Sequence, residues 1–477
     1  MTKRVSQGNR GDSVAVDRYL CSSAHLSPSF AGYVLAELIE PSVRAASPAC
    51  GVDLVALGRH ARSARARVTQ LRRSMAAALG SALMMLLVAV SVRSATLLLL
   101  ALIIAVAGVH LAVFFDRLSL YRTLGAMVSP VAQLRDLAPP LPARDEDRLD
   151  ALNASNVVIF EGGNTFVALG RRLRDGWQMS LDATKPATDS NGNKRTVLPF
   201  TPADLHKAVT LAVRTAGVPG VEAHNRLFVA SHSADAVPGL LPNQFGRPAA
   251  TVPSNAVRLG IEKPRPDIRT YLCVEKTSWG GELVVNLYLR AAMVSGDLFI
   301  ECHAFVLLPL RAELTTIDHM PTGAAEMIFR SARDALGATS APRRMWHEVK
   351  WERRAARRRR KDLAEAHRAI RKHRPVSRGA GLSIRAAAAN DERVFLFAYT
   401  DESMHLNALQ RRVLNAIEDF LDQHGVDTAD FHQKQTNIVN NHTYEIGAVN
   451  AQHAQVGSGN VQNNTPPQND PAPWALN

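Results

Sequence analysis

Two apolar runs dominate the hydropathy of the chain, Met75–Val92 and Thr96–Phe115, separated only by Arg93, Ser94 and Ala95. As helices they reach about 27–30 Å, the thickness of a bilayer's hydrocarbon core. They predict a transmembrane helical hairpin bounded by Met75 and Val92 in the first span and by Thr96 and Phe115 in the second. The alternative, a buried hairpin in a soluble domain, fits poorly with a second run that holds no charge and one histidine, His110. Ala77, Gly80 and Ala82 offer a small-residue face for close helix packing.

Elsewhere the apolar positions recur at shorter range. Residues 1–27 are polar and predict disorder. Ser29–Ile39 predicts a short helix with Tyr33, Leu35, Leu38 and Ile39 on one face, ended by Pro41. Asp53–Arg73 continues as a helix into the first span. Leu118–Leu137 predicts a linker helix, broken by Pro139, Pro140 and Pro142, and Arg144–Asp150 an exposed junction. Val157–Phe160 is a short apolar run suited to a buried strand. Trp177–Leu181, Leu227–Ala230, Thr270–Glu275, Glu282–Leu289 and Leu298–Leu308 are further strands. The turn signal Ser295-Gly296-Asp297 joins the last two as an antiparallel hairpin. Thr201-Pro202-Ala203-Asp204 starts a helix that runs to about Ala216. Ala324–Leu336 and Trp346–His373 are helical, Val394–Tyr399 is a strand, and Leu406–His424 is an amphipathic helix closed by Gly425.

The fold class these elements predict is an α+β domain, a mostly antiparallel sheet with flanking helices, attached to the two-helix transmembrane hairpin. The organisation runs 1–74, an N-terminal segment with a basic juxtamembrane helix; 75–115, the hairpin; 116–152, a linker; 153–340, the α+β domain; 341–378, a basic helix; 379–430, a strand and an amphipathic helix packing on the domain; and 431–477, a low-charge, Asn/Gln-rich, β-prone tail.

Charge orients this plan. Arg59, Arg62, Arg65, Arg67, Arg72 and Arg73 precede the first span with no acid among them, whereas the turn carries only Arg93. Positive flanks stay on the cytoplasmic side, so a multi-pass protein of the bacterial cell membrane with both termini cytoplasmic is expected. Met1–Leu20 lacks a continuous apolar core, and the first span is expected to serve as its own insertion signal. The net charge is +13, and it is local: Arg343–Arg378 holds 15 Lys or Arg against four acids. Within it, Arg353, Arg354, Arg357, Arg358, Arg359, Arg360 and Lys361 are the candidate polyanion-binding residues. The lipid bilayer is the nearest polyanion, and anionic headgroups reward each nearby cation by about 1 kcal/mol. Trp346 and Trp351 suit headgroup level. A purely solvated or intramolecular role comes second. Nucleic acid is the least favoured partner, because no nucleic-acid-binding fold is legible.

Candidate chemistry is sparse. Four cysteines without a C-x-x-C pair signal neither zinc nor a redox couple, and no cofactor is called for. Ser231-His232-Ser233-Ala234-Asp235 holds the residue types of a hydrolytic triad, but sequence neighbours do not converge as a triad must, and a polar loop after a strand is expected. Gly162–Gly170 lacks phosphate-loop spacing. Glu301 and His303 share a strand face, too few ligands for a metal, and suit a hydrogen-bonded pair on a half-buried sheet; Asp318-His319 reads the same way. No catalytic motif emerges.

The tail carries more information. Beyond Lys434 only Glu445 and Asp470 are charged side chains. Ile446-Gly447-Ala448-Val449-Asn450-Ala451-Gln452 recurs in pattern ten residues later as Val456-Gly457-Ser458-Gly459-Asn460-Val461-Gln462. Such a repeat suits stacked strands with Asn ladders. Ile446, Gly447, Asn450, Gln455, Val456, Gly457 and Asn460 are the candidate homotypic assembly residues, against the alternatives of a disordered tail or a strand pair folded on the domain.

Two resemblances follow. Asn156–Phe160, Phe166–Gly170, Trp177, Arg226–Val229, Glu282–Val285, Leu289-Arg290 and Leu307–Leu310, with His424–Thr428 and Ile438–Asn441, resemble a family of uncharacterised actinobacterial two-span membrane proteins. The resemblance implies architecture and no activity. Ala454–Asn460 resembles the core of bacterial amyloid-signalling motifs, similar to the animal receptor-interacting-kinase homotypic motif, although Ala454 stands where those motifs favour a β-branched residue. That resemblance implies templated assembly with a homotypic or heterotypic partner. The expected function is therefore a membrane-anchored interaction or signalling protein that assembles through its tail. The alternatives are a membrane-tethered enzyme and a polyanion-binding module.

Overall fold

The computed structural model of the protein describes residues 14–128, 133–163, 165–166, 169–173, 176–215, 217–390 and 396–444. Helices α1 (Val14–Leu26) and α2 (Pro28–Leu38) lead into α3 (Leu54–Val92) and α4 (Ala95–Val128). The last two form an antiparallel hairpin that turns at Arg93, which adopts a left-handed conformation. Both are long and apolar enough to cross a membrane. Their seam is built from Met75, Ala82 and Ala89 against Ala101, Val109 and Val113. The helices approach closely at Gly108, where a Cβ would lie 2.6 Å from that of Ala78. Ala77 and Gly80 face outward, off this seam. From Leu79 to Phe115 the outer surface is large apolar side chains, a continuous patch far beyond what a soluble surface carries.

α5 (Ala143–Asn153) precedes the sheet, which contains β1 (Val157–Phe160), β2 (Arg171–Arg172), β3 (Trp177–Asp182), β4 (Val221–Ala230), β5 (Ile268–Ser278), β6 (Leu283–Val294) and β7 (Asp297–Leu307). The strand order is β1-β4-β5-β6-β7-β2, and β3 lies along the other half of β7. Among the described strands only β1 with β4 is parallel; β4 through β7 form an antiparallel meander. The α+β class is thus observed. β6 and β7 are joined at Ser295 and Gly296, both at positive φ, the geometry of a two-residue hairpin turn.

Helices α6 (Pro202–Thr215) and α7 (Ser254–Glu262) flank the sheet. α6 begins with a reciprocal cap: Thr201 Oγ accepts from the Asp204 amide, and the Asp204 carboxylate accepts from that of Thr201. After β7 come α8 (Ala324–Leu336), α9 (Ala341–Arg371), α10 (Ile384–Ala388), α11 (Leu396–Gln423) and α12 (Ala429–Tyr444). One face of the sheet packs under α6 and α11, where Leu205, Val209, Val413, Ile417 and Leu421 share a core with Val285, Leu287, Leu289, Ile300 and Ala304. Gly425, at φ 73°, ends the α11 segment where a Cβ would lie 2.5 Å from the Thr196 carbonyl oxygen.

Four expectations change. Arg144–Asp150, expected as an exposed junction, lies in α5, which buries Leu149. Residues 396–399 belong to α11 and not to a strand, because their side chains extend the helix that the apolar positions from Leu406 onward anchor. Residues 431–444 of the expected β-prone tail are helical, the greater part of α12, and Phe431 is buried in the core under the sheet face. Residues 14–26, within the stretch expected to be disordered, form α1, which buries Val16, Leu20, Cys21 and Ala24 at helical spacing. The polar residues that suggested disorder are bonded inside: Ser23 Oγ donates to the Leu314 carbonyl, and Tyr19 to Asp318. Asp318 also pairs with Arg18.

These first helices, α5, the far end of α4 and the segments around Leu314 and Ile384 share one apolar cluster. At its centre His60 Nε2–H donates to the Leu134 carbonyl at 2.9 Å, so His25 Nε2–H donates to His60 Nδ1 at 3.1 Å. Burial pushes His25 down to about 3, with His60 and Arg67 adding to it, and lowers His60 as well. Burial pushes the neighbouring Asp17 carboxyl up to about 7. The histidine contribution to stability is complete above the unfolded value of 6.5 and is lost as pH falls towards 3. That of Asp17 is complete below 3.8 and is lost as pH rises through 7. Between those limits the slopes oppose. Asp17→Asn, which keeps an acceptor for the Asp53 amide, is therefore expected to make the protein acid-labile. Each uncompensated histidine removes about 1.4 kcal/mol per pH unit below 6.5. Unfolding midpoints in detergent across this range, compared with wild type, check it; parallel pH curves for the two proteins would refute it.

Candidate functional site

The basic helix is where the sequence placed it. α9 buries no residue among its 31, yet it has a side. Met345, Val349, Glu352, Ala355, Arg359, Leu363 and Ala366 recur at threes and fours and face the body, partly covered. Arg353, Arg354, Arg357, Arg358, Arg360 and Lys361 are exposed. Arg359 differs from the rest of the cationic set: it is held by Glu40 at 2.8 Å. Arg72 forks onto Glu352 at 2.7 and 2.9 Å.

These contacts set the direction of the α8–α9 unit. α8 runs back along α4: Met327 lies by Gly125, Tyr121 donates to Asp334 at 2.8 Å, and Ala335 and Ala338 pack on Val113, beside the end of the second span. Leu71 of α3 and Ala341 at the start of α9 pack against the same cluster. α9 retreats along α3, from Arg72 to Glu40, which also pairs with Arg65. The turn of the unit therefore lies level with the ends of both apolar spans. Leu336 and Trp346, which flank this turn, stay exposed at 74 and 69%.

The sheet offers a second location. Its other face is polar and aromatic. One half is sealed by the segments around Cys50 and α10, over Arg226, Cys273, Glu275 and Asn286. The other half is an open hollow of about 550 Å³, with Phe166, Arg172, Arg269, Tyr271, Glu301 and His303 around it. Glu301 and His303 do share this face. They are not bonded to each other. Glu301 accepts from Tyr271 at 2.8 Å and from Arg290 at 2.9 Å. Burial opposes its charge, but these two bonds together with the charge of Arg290 hold the carboxyl below its ordinary value. Arg172 donates to His303 Nδ1 at 3.3 Å, and burial lowers the imidazole's pKa. A guanidinium only donates, so His303 is neutral with its proton on Nε2.

The triad-like run is a turn: Ser231–Ala236 is a 3-10 segment in which Ser233 donates to Asp267, His232 is exposed, and Ser231 accepts from the Arg378 amide. Among the described residues no group of His, Cys, Asp and Glu is placed to hold a metal ion. Ile446, Gly447, Asn450, Gln455, Val456, Gly457 and Asn460 lie outside the described residues. Sequence reasoning missed Tyr271, Arg290, Arg172 and Phe166. The signal was present: alternate positions of three strands, Tyr271-Cys273-Glu275, Tyr288-Arg290 and Glu301-His303-Phe305, place polar and aromatic groups on one face.

Fold and surfaces together define a two-helix apolar hairpin carrying an α+β domain, with a cationic helix laid along the hairpin's extensions. The AbeC-like domain family matches residues 176–454, more than half of the chain, and the chain belongs to that family. No curated protein and no solved structure matches it.

Proposed function

We propose that the chain is a membrane-anchored interaction and signalling protein with both termini in the cytoplasm, whose domain is held against the anionic face of the bilayer by the α8–α9 unit. The observation that carries this reading is the seating of that unit: its turn reaches the level where the apolar spans end, and it leaves aromatic and aliphatic side chains uncovered there. Arg343, Arg344, Arg353 and Arg354 follow on the outer side of α9 within the reach of headgroups. Cations with interfacial tryptophan are the side chains such a depth favours. The Arg-rich flank before the first span supports the orientation. The resemblance to actinobacterial two-span proteins supports the same plan. The tail repeat supports a further step, homotypic β assembly that passes a signal from the domain.

The test uses the full chain in nanodiscs with brominated lipid. Trp346 is expected to be quenched in discs containing phosphatidylglycerol. The quenching is expected to fall when Arg343, Arg344, Arg353 and Arg354 become Gln, which removes about 4 kcal/mol of headgroup attraction. No quenching in either disc would refute the membrane contact. For the tail, the same discs are followed with an amyloid-binding dye. A signal from wild type that is lost when Gln455, Val456 and Gly457 are replaced supports assembly; none from wild type ends that part of the reading.

A further inference from the structure

We infer that the open half of the sheet face is a binding site for a small organic anion, a carboxylate or phosphate bearing an apolar, planar body. The hollow continues past Arg172, Glu301 and His303 into a second one of about 520 Å³ along the edge formed by β2 and β3. Arg172 and His303 thus stand where the two meet. The floor is aromatic. Phe166 lies 5.0–5.2 Å, ring centre to ring centre, from Phe228, Tyr271, His303 and Phe305, which line the hollow with it.

The charges of the site decide the sign of its ligand. Glu301 is neutralised by Arg290. Asp267 is engaged by Arg265 and Ser233. Arg172 and Arg269 line the hollow with no carboxylate partner in the ion pairs among the described residues. His303 contributes its Nε2–H. The rim therefore presents donors without matching acceptors above an apolar floor, the layout of a pocket that orients one charged head and buries a flat body. Arg172 and His303 clamp the head; the rings take the body. A fork of guanidinium donors suits carboxylate and phosphate oxygens alike.

The site is distinct from the α8–α9 surface and does not depend on how that surface meets lipid. Its probe is phenyl phosphate, titrated calorimetrically into the full chain in zwitterionic nanodiscs, beside inorganic phosphate. Saturable binding of phenyl phosphate at about 1 mM or tighter is expected, with inorganic phosphate weaker. Arg172→Gln and His303→Gln are expected to weaken it about tenfold or more each. Arg172 is exposed, so its replacement leaves folding intact, checked by an unchanged unfolding midpoint. Binding that persists in discs containing phosphatidylglycerol assigns a soluble ligand, and binding suppressed there assigns a lipid headgroup; either carries the site. Absence of saturable binding, equal binding of the two probes, or equal affinity in wild type and Arg172→Gln overturns it.

Discussion

Arg385→Ala is expected to remove about 3–5 kcal/mol of stability, more than any surface change in this chain. Arg385 is 1% exposed and lies in the five-residue α10. Its guanidinium donates to the carbonyls of Glu282 at 2.6 Å and Leu308 at 2.8 Å, tying α10 to the start of β6 and the end of β7. Burial draws its pKa down to about 10, with Cys50 and Glu282 opposing, so it is charged at neutral pH. Each buried carbonyl left without its donor costs about 1–3 kcal/mol, and the cavity adds to that. Arg385→Met refills the volume without the bonds. It is expected to keep more than half of the loss in chemical unfolding in mild detergent; a methionine variant as stable as wild type would show that packing alone matters there.

Asp116→Ala is expected to cost about 3–5 kcal/mol, because it strands a buried guanidinium. Asp116 directly follows the second span and pairs with Arg67 at 2.8 Å, their side chains only 6% and 14% exposed. Arg67 also donates to the His25 carbonyl at 2.8 Å, so one residue joins α1, α3 and α4. Burial lowers Arg67 and raises Asp116 despite their mutual attraction. Desolvation thus exceeds the Coulomb gain, which makes the pair costly to break yet weakly stabilising as a whole. The double variant Arg67→Met with Asp116→Leu is accordingly expected to recover most of the single variant's loss. A double variant as unstable as Asp116→Ala would contradict this account.

Both predictions concern residues that sequence reading passed over, and the reason is common to them. Arg385 sits in an Ala-rich stretch, and Asp116 is one more charge at a span end. Nothing local distinguishes a charge that will be enclosed from one that stays in water. Glu301 shows the intermediate case. Strand alternation placed it with His303, but its partners Tyr271 and Arg290 come from β5 and β6, and only register across three strands brings them together. The strand expected at Val394–Tyr399 fails over 396–399 for the related reason that a short apolar run carries no period of its own.

What the sequence alone determined is what local periodicity encodes: two spans of membrane length, the strands of the meander, the Ser295-Gly296 turn, the Thr201 cap and the basic helix. Each depends on neighbours within a few residues, where backbone geometry and side-chain spacing act directly. The tertiary structure decided the rest. It ordered a polar N-terminal helix by burying and bonding its serines, histidine and aspartate, laid α8 and α9 along the hairpin's extensions, and divided one sheet face into a sealed half and an open one. Those outcomes depend on contacts between residues tens to hundreds of positions apart, whose energies exist only once the chain has closed upon itself.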